Sequence, residues 1–269
     1  MYLLIDVGNT RIKWLLLKGN EDLVLGSQND TQSGTLVEFE SYIGTLDTSQ
    51  VHVLLAAVNQ TEVLMELLEQ SGFCDIFIAE SKSQQAGLRS SYSQPERMGV
   101  DRWLAMVAAY SSLQSTSRQT DNKQSDRNSL EKILPTKNSS GVIVVDAGSA
   151  LTIDVVSAEG LHLGGYIVPG ILMAQRALYQ NTERVIQYNA ENLLAPLNSM
   201  KNKLGKNTHQ CVEYGVINQL AALVQVVVSE YAEYELLITG GDSDVLAKFF
   251  PTIRIERDLV LKGLWQVRN

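Results

Sequence analysis

One arrangement, met twice, limits what this chain can fold into: an apolar strand ending in Asp-x-Gly, a turn of small polar residues, and a second apolar strand. The first copy spans 3–14 (LLIDVGNTRIKW). Leu3, Leu4 and Ile5 lead to Asp6, the turn holds Gly8, Asn9 and Thr10, and Ile12 opens the return strand, with Arg11 and Lys13 adding positive charge. A carboxylate can hold a metal ion or its water, and glycine lets backbone approach a phosphate. Alone, a Gly-Asn hairpin turn needs no function. The second copy, at 142–156 (VIVVDAGSALTIDVV), changes that reading. Asp146, Gly148, Ser149 and Thr152 repeat the order half a chain later.

Two copies imply two related halves facing each other across a cleft, each offering one Asp-Gly turn to the same phosphate tail. A third apolar strand ending in glycines, 236–242 (LLITGGD), would supply backbone for a nucleoside. By fold-level analogy this is an α/β architecture of two actin-like ATPase domains (ASKHA, ribonuclease H-like) around a nucleotide cleft. The organisation of the chain agrees. Strands are expected within 1–26, at 51–58 and at 76–78, with helices at 36–46 and 61–70; Val63, Leu64, Leu67 and Leu68 recur at helical spacing in the latter. Residues 1–113 form the first half, 114–140 a mobile polar insertion rich in Ser, Thr, Gln and Asn, and 141–269 the second half. In that half a strand at 161–171, ending at Pro169-Gly170, hands over to a helix at 171–179 whose N-terminus is open to an anion. A long helix at 208–230, apolar on most sides, is expected between domains or at a dimer face. A helix at 244–250 and the tail 253–264 complete the half.

Charge argues against two classes of partner. With 22 Lys and Arg against 30 Asp and Glu, a net charge of −8 and no basic block, an electrostatic grip on nucleic acid or anionic membrane is not expected. Residues 1–6 lack a basic stretch and Asp6 interrupts the apolar run, so no signal peptide is expected; the run at 220–228 is too short to span a membrane. Cys74 and Cys211 are too few for a disulfide framework and read as buried free thiols. His52, His162 and His209 are isolated and show no zinc-type spacing. A cytoplasmic enzyme is the expectation.

The segment 92–103 (YSQPERMGVDRW) precedes a helix expected at 102–113. Asp101 at that helix start has an ordinary explanation as a cap that complements the helix dipole. Gly99 and Arg102 add to it open backbone and a fork for a carboxylate or phosphate.

These residues resemble, from end to end, the type III pantothenate kinases, the family that includes the Bvg accessory factor proteins. Asp6-Val-Gly-Asn-Thr is similar to its first phosphate motif, and Tyr92…Pro95…Gly99-Val-Asp-Arg-Trp103 to its pantothenate motif. Asp146-Ala-Gly-Ser-Ala-Leu-Thr is similar to its second phosphate motif. The stretches 164–170, 239–242 and 258–264 resemble later family motifs in the same order. Ser149 stands where the family usually has Thr, and the 114–140 insertion is longer than the family pattern. The resemblance implies ATP-dependent phosphorylation of the primary hydroxyl of pantothenate, the first committed step of coenzyme A synthesis. It implies Asp101 as proton acceptor and Tyr92, Gly99, Val100, Asp101, Arg102 and Thr182 as pantothenate-binding, Thr182 across a homodimer interface. Asp6, Val7, Gly8, Asn9, Thr10, Arg11, Ile12, Lys13 and Ser149 would hold ATP. Asp146 would bind a monovalent cation, K⁺ or NH₄⁺, alongside Mg²⁺. Two alternatives remain open: a regulatory protein of the same fold that binds nucleotide without turnover, and a kinase acting on another small alcohol such as a sugar.

Overall fold

The computed structural model describes residues 1–18, 23, 30–58, 61–123, 141–181 and 203–268. In chain order the first part holds β1 (Tyr2–Val7), β2 (Ile12–Leu17), β3 (Gln32–Gly34), α1 (Leu36–Ile43), β4 (His52–Ala57), α2 (Thr61–Gln70), β5 (Asp75–Ile78), the short strands β6 (Gln84–Gln85) and β7 (Leu88–Arg89), and α3 (Val100–Lys123). The second part holds β8 (Gly141–Ala147), β9 (Ala150–Ser157), β10 (His162–Pro169), α4 (Ile171–Asn181), α5 (Thr208–Glu230), β11 (Glu235–Thr239), α6 (Ser243–Ala247), β12 (Arg254–Ile255) and α7 (Leu259–Gln266).

Two five-stranded sheets share one plan. The first runs β3-β2-β1-β4-β5 and the second β10-β9-β8-β11-β12. In each, the opening strands pair antiparallel and the last two join in parallel. The same strand order and the same mixture of directions, met twice, establish the duplicated α/β fold expected from the repeated turn.

The apolar residues sort into layers. Leu3, Ile5, Trp14 and Leu55 face α1 and α2 on the outside of the first sheet. Ile143, Val145, Leu151 and Ile238 face α5 and α6 on the outside of the second. Between the sheets lie α3 and α7, with Leu4, Leu15 and Leu54 on one side and Val142, Val144, Val156 and Leu237 on the other. Side chains alternate across a strand, so Asp6 shares the inner face with Leu4, and Asp146 shares it with Val142 and Val144. Pleat parity therefore aims both carboxylates at the central layer.

Several expectations change. Helix α3 runs ten residues past the Leu113 at which the apolar pattern ends, reaching Lys123, while 124–140 lie outside the described residues. From Arg102 to Tyr110 every residue of α3 is buried, because both sheets press on it and no polar face is required. Helix α5 has the expected bounds but covers the outer face of the second sheet through Val216, Leu220 and Val224, not a boundary between the halves. By length and composition α5 could cross a membrane; its buried stripe makes it a core helix here. Only the start of the tail completes the second half: β12 closes its sheet beside β11, whereas α7 packs on α3 and on β1 and β4 of the first sheet. Cys74 and Cys211 are free but exposed, so the expected burial is wrong.

Candidate active site

The two Asp-Gly turns meet. Gly8 N–H donates to Arg11 O at 3.1 Å and Gly148 N–H to Ala150 O at 3.0 Å, so each turn is a tight loop between paired strands. At their tips the hydroxyls of Thr10 and Ser149 lie 2.8 Å apart. This contact joins residues far apart in the chain and holds the two turns against each other. Below it, Asp6 stands opposite Lys13 in the β1–β2 ladder, and Asp146 opposite Thr152 and beside Thr239.

The carboxylates are crowded. Burial pushes Asp6 up to about 7; Lys13 opposes the shift, while the charges of Asp146, Asp101 and Asp258 add to it. Burial likewise pushes Asp146 up to about 6, opposed by Lys13 and reinforced by Asp101 and Asp154. The cleft therefore holds more negative charge than its one lysine balances. That is the electrostatic character of a place that receives cations.

Glycines close the second turn tightly. A Cβ at Gly170 would lie 2.2 Å from Gly148 O, and one at Gly240, whose φ is +93°, would lie 2.4 Å from Ala147 O and 2.5 Å from Asp146 Oδ1. Asp242 N–H also donates to Ala147 O at 2.9 Å. The Gly-Gly-Asp turn thus packs on the Asp146 turn, and Gly170 brings the start of α4 against it, with its own N–H on Ser149 O at 3.0 Å.

At the start of α3, Asp101 Oδ1 accepts the Arg102 N–H at 2.8 Å. A Cβ at Gly99 would lie 2.5 Å from that same oxygen, which is why the open backbone matters there. Arg102 is buried, and its Nε and Nη2 donate to the two oxygens of Asp154 at 2.9 and 2.5 Å. Nη1 donates to the Tyr92 hydroxyl at 3.0 Å. Burial would lower the guanidinium pKa, but the hydrogen bonds and charge of Asp154, then Tyr92, raise it further, so Arg102 stays protonated.

The structure brings most of the sequence-derived candidates together: Asp6, Gly8 to Arg11, Lys13, Ser149 and Asp146 at the turns, and Tyr92, Gly99, Val100, Asp101 and Arg102 at the start of α3, while the side chains of Val7 and Ile12 point into the outer core of the first sheet. Thr182 lies outside the described residues. Three residues were not given a role from sequence. Asp154 is the one charged residue in β9, a signal that was available. His162 is not isolated: its Nε2 lies 3.0 Å from Asp154 Oδ1. Asp258, at the start of α7 with a left-handed φ of +62°, accepts from Thr31 Oγ1 at 2.8 Å and adds to the charge felt by Asp6.

Comparison with known proteins bears on the same chain. Among solved structures, a conserved protein of Campylobacter jejuni assigned to the Baf family of transcriptional activators superposes with a TM-score of 0.57 at 21% identity, covering 98% of this chain and 96% of its own. It shares the fold. The type III pantothenate kinase of Ectopseudomonas mendocina is 30% identical over 272 residues, 98% of this chain and 97% of that protein. The one from Cellvibrio japonicus is 31% identical over 274 residues, covering 98% and 95%. A family model described as type III pantothenate kinase matches residues 2–118 and 130–230. With matches of this extent over both turns and the segment between them, the chain belongs to the type III pantothenate kinase family.

Proposed function

We infer that this protein transfers the γ-phosphoryl group of ATP to the primary hydroxyl of pantothenate, giving ADP and 4'-phosphopantothenate, the first step of coenzyme A biosynthesis. The observation that carries this reading is the meeting of the two Asp-Gly turns, Thr10 to Ser149 at 2.8 Å, above carboxylates that face the start of α3.

Phosphoryl transfer passes through a loose, charge-dispersed transition state, so catalysis is chiefly alignment and electrostatic stabilisation. The turn residues Asp6, Val7, Gly8, Asn9, Thr10, Arg11, Ile12 and Lys13, with Ser149, hold the nucleotide by backbone N–H groups, hydroxyls and the Lys13 charge. Among the described residues no three His, Cys, Asp or Glu side chains converge as a self-sufficient metal site. The crowded Asp6 and Asp146 nonetheless fit cations: Asp6 would help hold Mg²⁺ and Asp146 a monovalent cation, K⁺ or NH₄⁺, which would supply positive charge for the transferring group.

Asp101 is the proton acceptor. Its Oδ1 is taken by the Arg102 N–H, which leaves Oδ2 to orient the acceptor hydroxyl and take its proton late, a contribution of roughly 10²–10⁴-fold. Asp6 and Asp146 would be poorer bases in the loaded site, since the cations they would hold favour their ionised forms. Tyr92, Gly99, Val100 and Arg102 bind pantothenate. Of the five N–H groups of Arg102, two go to Asp154 and one to Tyr92, so one on each terminal nitrogen remains for the substrate carboxylate.

The functional unit in this reading is a homodimer. Leu163, Tyr166 and Ile167 on the edge strand β10, and Leu172, Met173 and Leu178 on the α4 that follows it, are large apolar side chains left exposed. A second copy covering this face is the arrangement proposed, with Thr182, for which the resemblance implies a role across the interface, outside the described residues. The acidic surface and the core placement of α5 support a protein that works in the cytoplasm without nucleic acid or membrane.

The test is ATP-to-ADP turnover with and without pantothenate, in K⁺ and in Na⁺, with Asp101→Asn beside the wild type. Turnover that needs pantothenate, is higher in K⁺ and falls at least 100-fold in the variant is expected. Nucleotide binding without pantothenate-dependent turnover in any cation would overturn the reading in favour of a regulator, and turnover only with sugars in favour of another acceptor.

A further inference from the structure

We propose that Asp154 and His162 are positioning residues that hold the Arg102 guanidinium where it receives the substrate carboxylate. The proposal rests on the reading of Arg102 as the pantothenate-carboxylate partner.

The geometry is a closed set of hydrogen bonds. Asp154 Oδ2 accepts from Arg102 Nε at 2.9 Å, and Oδ1 accepts from Arg102 Nη2 at 2.5 Å and from His162 Nε2 at 3.0 Å. An ionised carboxylate can only accept, so Nε2 is the protonated nitrogen of His162 in this contact. His162 Nδ1 faces Ser91 Oγ at 2.9 Å, and the neighbouring Tyr92 receives Arg102 Nη1 at 3.0 Å. The chain of contacts thus starts and ends on adjacent residues, Ser91 and Tyr92, where the substrate segment begins. His162 is fully buried, and only 2% of Asp154 and 7% of Arg102 is exposed. A bidentate pair fixes the guanidinium plane, and the histidine removes the freedom Asp154 would otherwise have to rotate.

The backbone is shaped for this. Opposite β9, His162 pairs with Val156 and Gly165 with Asp154, yet Gly164 pairs with Val155, so one extra residue sits between His162 and Gly164. This bulge at Leu163, whose side chain is turned outward and 41% exposed, puts His162 on the same inner face as Asp154 despite the odd offset between His162 and Gly165, the residue opposite Asp154. Two glycines make it possible. Gly164 has a φ of +128°, and a Cβ at Gly165 would lie 2.5 Å from Asp154 Oδ1. A buried carboxylate placed by a bulge, cleared by a glycine and bonded on both oxygens does more than balance charge. It sets an orientation.

The experiment measures kcat and KM for both substrates in Asp154→Asn, His162→Gln, Arg102→Gln and the double variant Arg102→Gln/Asp154→Asn, with melting temperatures for each. Asp154→Asn should raise the pantothenate KM about tenfold or more while the ATP KM and kcat stay within about threefold. His162→Gln should raise the same KM less, by about threefold. In the double variant, Asp154→Asn should add nothing to Arg102→Gln, because its effect passes through that side chain. Independent, multiplicative effects, or an unchanged pantothenate KM in a folded Asp154→Asn, would overturn the proposal. If Asp154→Asn does not fold, His162→Gln decides: a selective rise in pantothenate KM supports the proposal, and a wild-type KM or equal losses for both substrates overturns it. Failure of the wild type to use pantothenate would instead remove the underlying functional reading.

Discussion

At the scale of single residues, the site is built from carboxylates that the fold crowds and buries. Asp6 titrates at 3.8 in the unfolded chain and at about 7 when folded, so between those values the folded state keeps a proton that the unfolded chain has lost. Stability from this group is therefore complete below about pH 4 and is lost as pH rises through about 7. Nucleotide-free Asp6→Asn should melt above the wild type at pH 8, by about 2 kcal/mol of stability, with the gap closing below pH 5. Equal melting curves at both pH values would refute this. The Thr10–Ser149 contact makes a second case. Ser149→Ala should raise the ATP KM about fivefold, the loss of one hydrogen bond, whereas Ser149→Thr keeps a hydroxyl and should stay near wild type.

At the scale of elements, the central layer is set by one close approach. A Cβ at Gly263 of α7 would lie 2.0 Å from Leu104 O of α3 and 2.6 Å from its carbonyl carbon, so the two helices touch backbone to backbone. Gly263→Ala should destabilise the fold by about 1–3 kcal/mol, read as a lowered midpoint in urea, although alanine favours a helix elsewhere. Asp101 and Arg102 sit at the start of α3, so activity should fall with stability in this variant. A wild-type midpoint would mean that α7 can move away without cost. Helix α3 was only partly legible. The buried run 102–110 lies in that layer, but the helix goes on through 114–123, which is polar and carries no apolar periodicity from which to read its end.

At the scale of the whole molecule, the repeated strand order places two equivalent turns face to face, and the exposed apolar surface of β10 and α4 calls for a cover. Ile167, 60% exposed on the edge strand, is the side chain to change. In the proposed homodimer, Ile167→Asp should leave a monomer in sedimentation and lower pantothenate turnover by about tenfold or more, as expected where the second copy completes the site. A monomeric wild type, or a monomeric variant with full activity, would remove the dimer from the functional reading.

Sequence alone determined the duplicated turn, the residues within it, the segment around Asp101 and the resemblance that joined them. These are local patterns, in which residue type and spacing already express the chemistry. Tertiary structure alone decided the rest. It turned the tail α7 back onto the first sheet and laid α5 along the outer face of the second. It brought Asp154 and His162 to Arg102 through a one-residue bulge. A periodic pattern states which side of an element is apolar but not which element will cover it. A bulge changes the facing of a side chain without changing any residue's type, and the pairing of distant strands is settled only when the whole core closes.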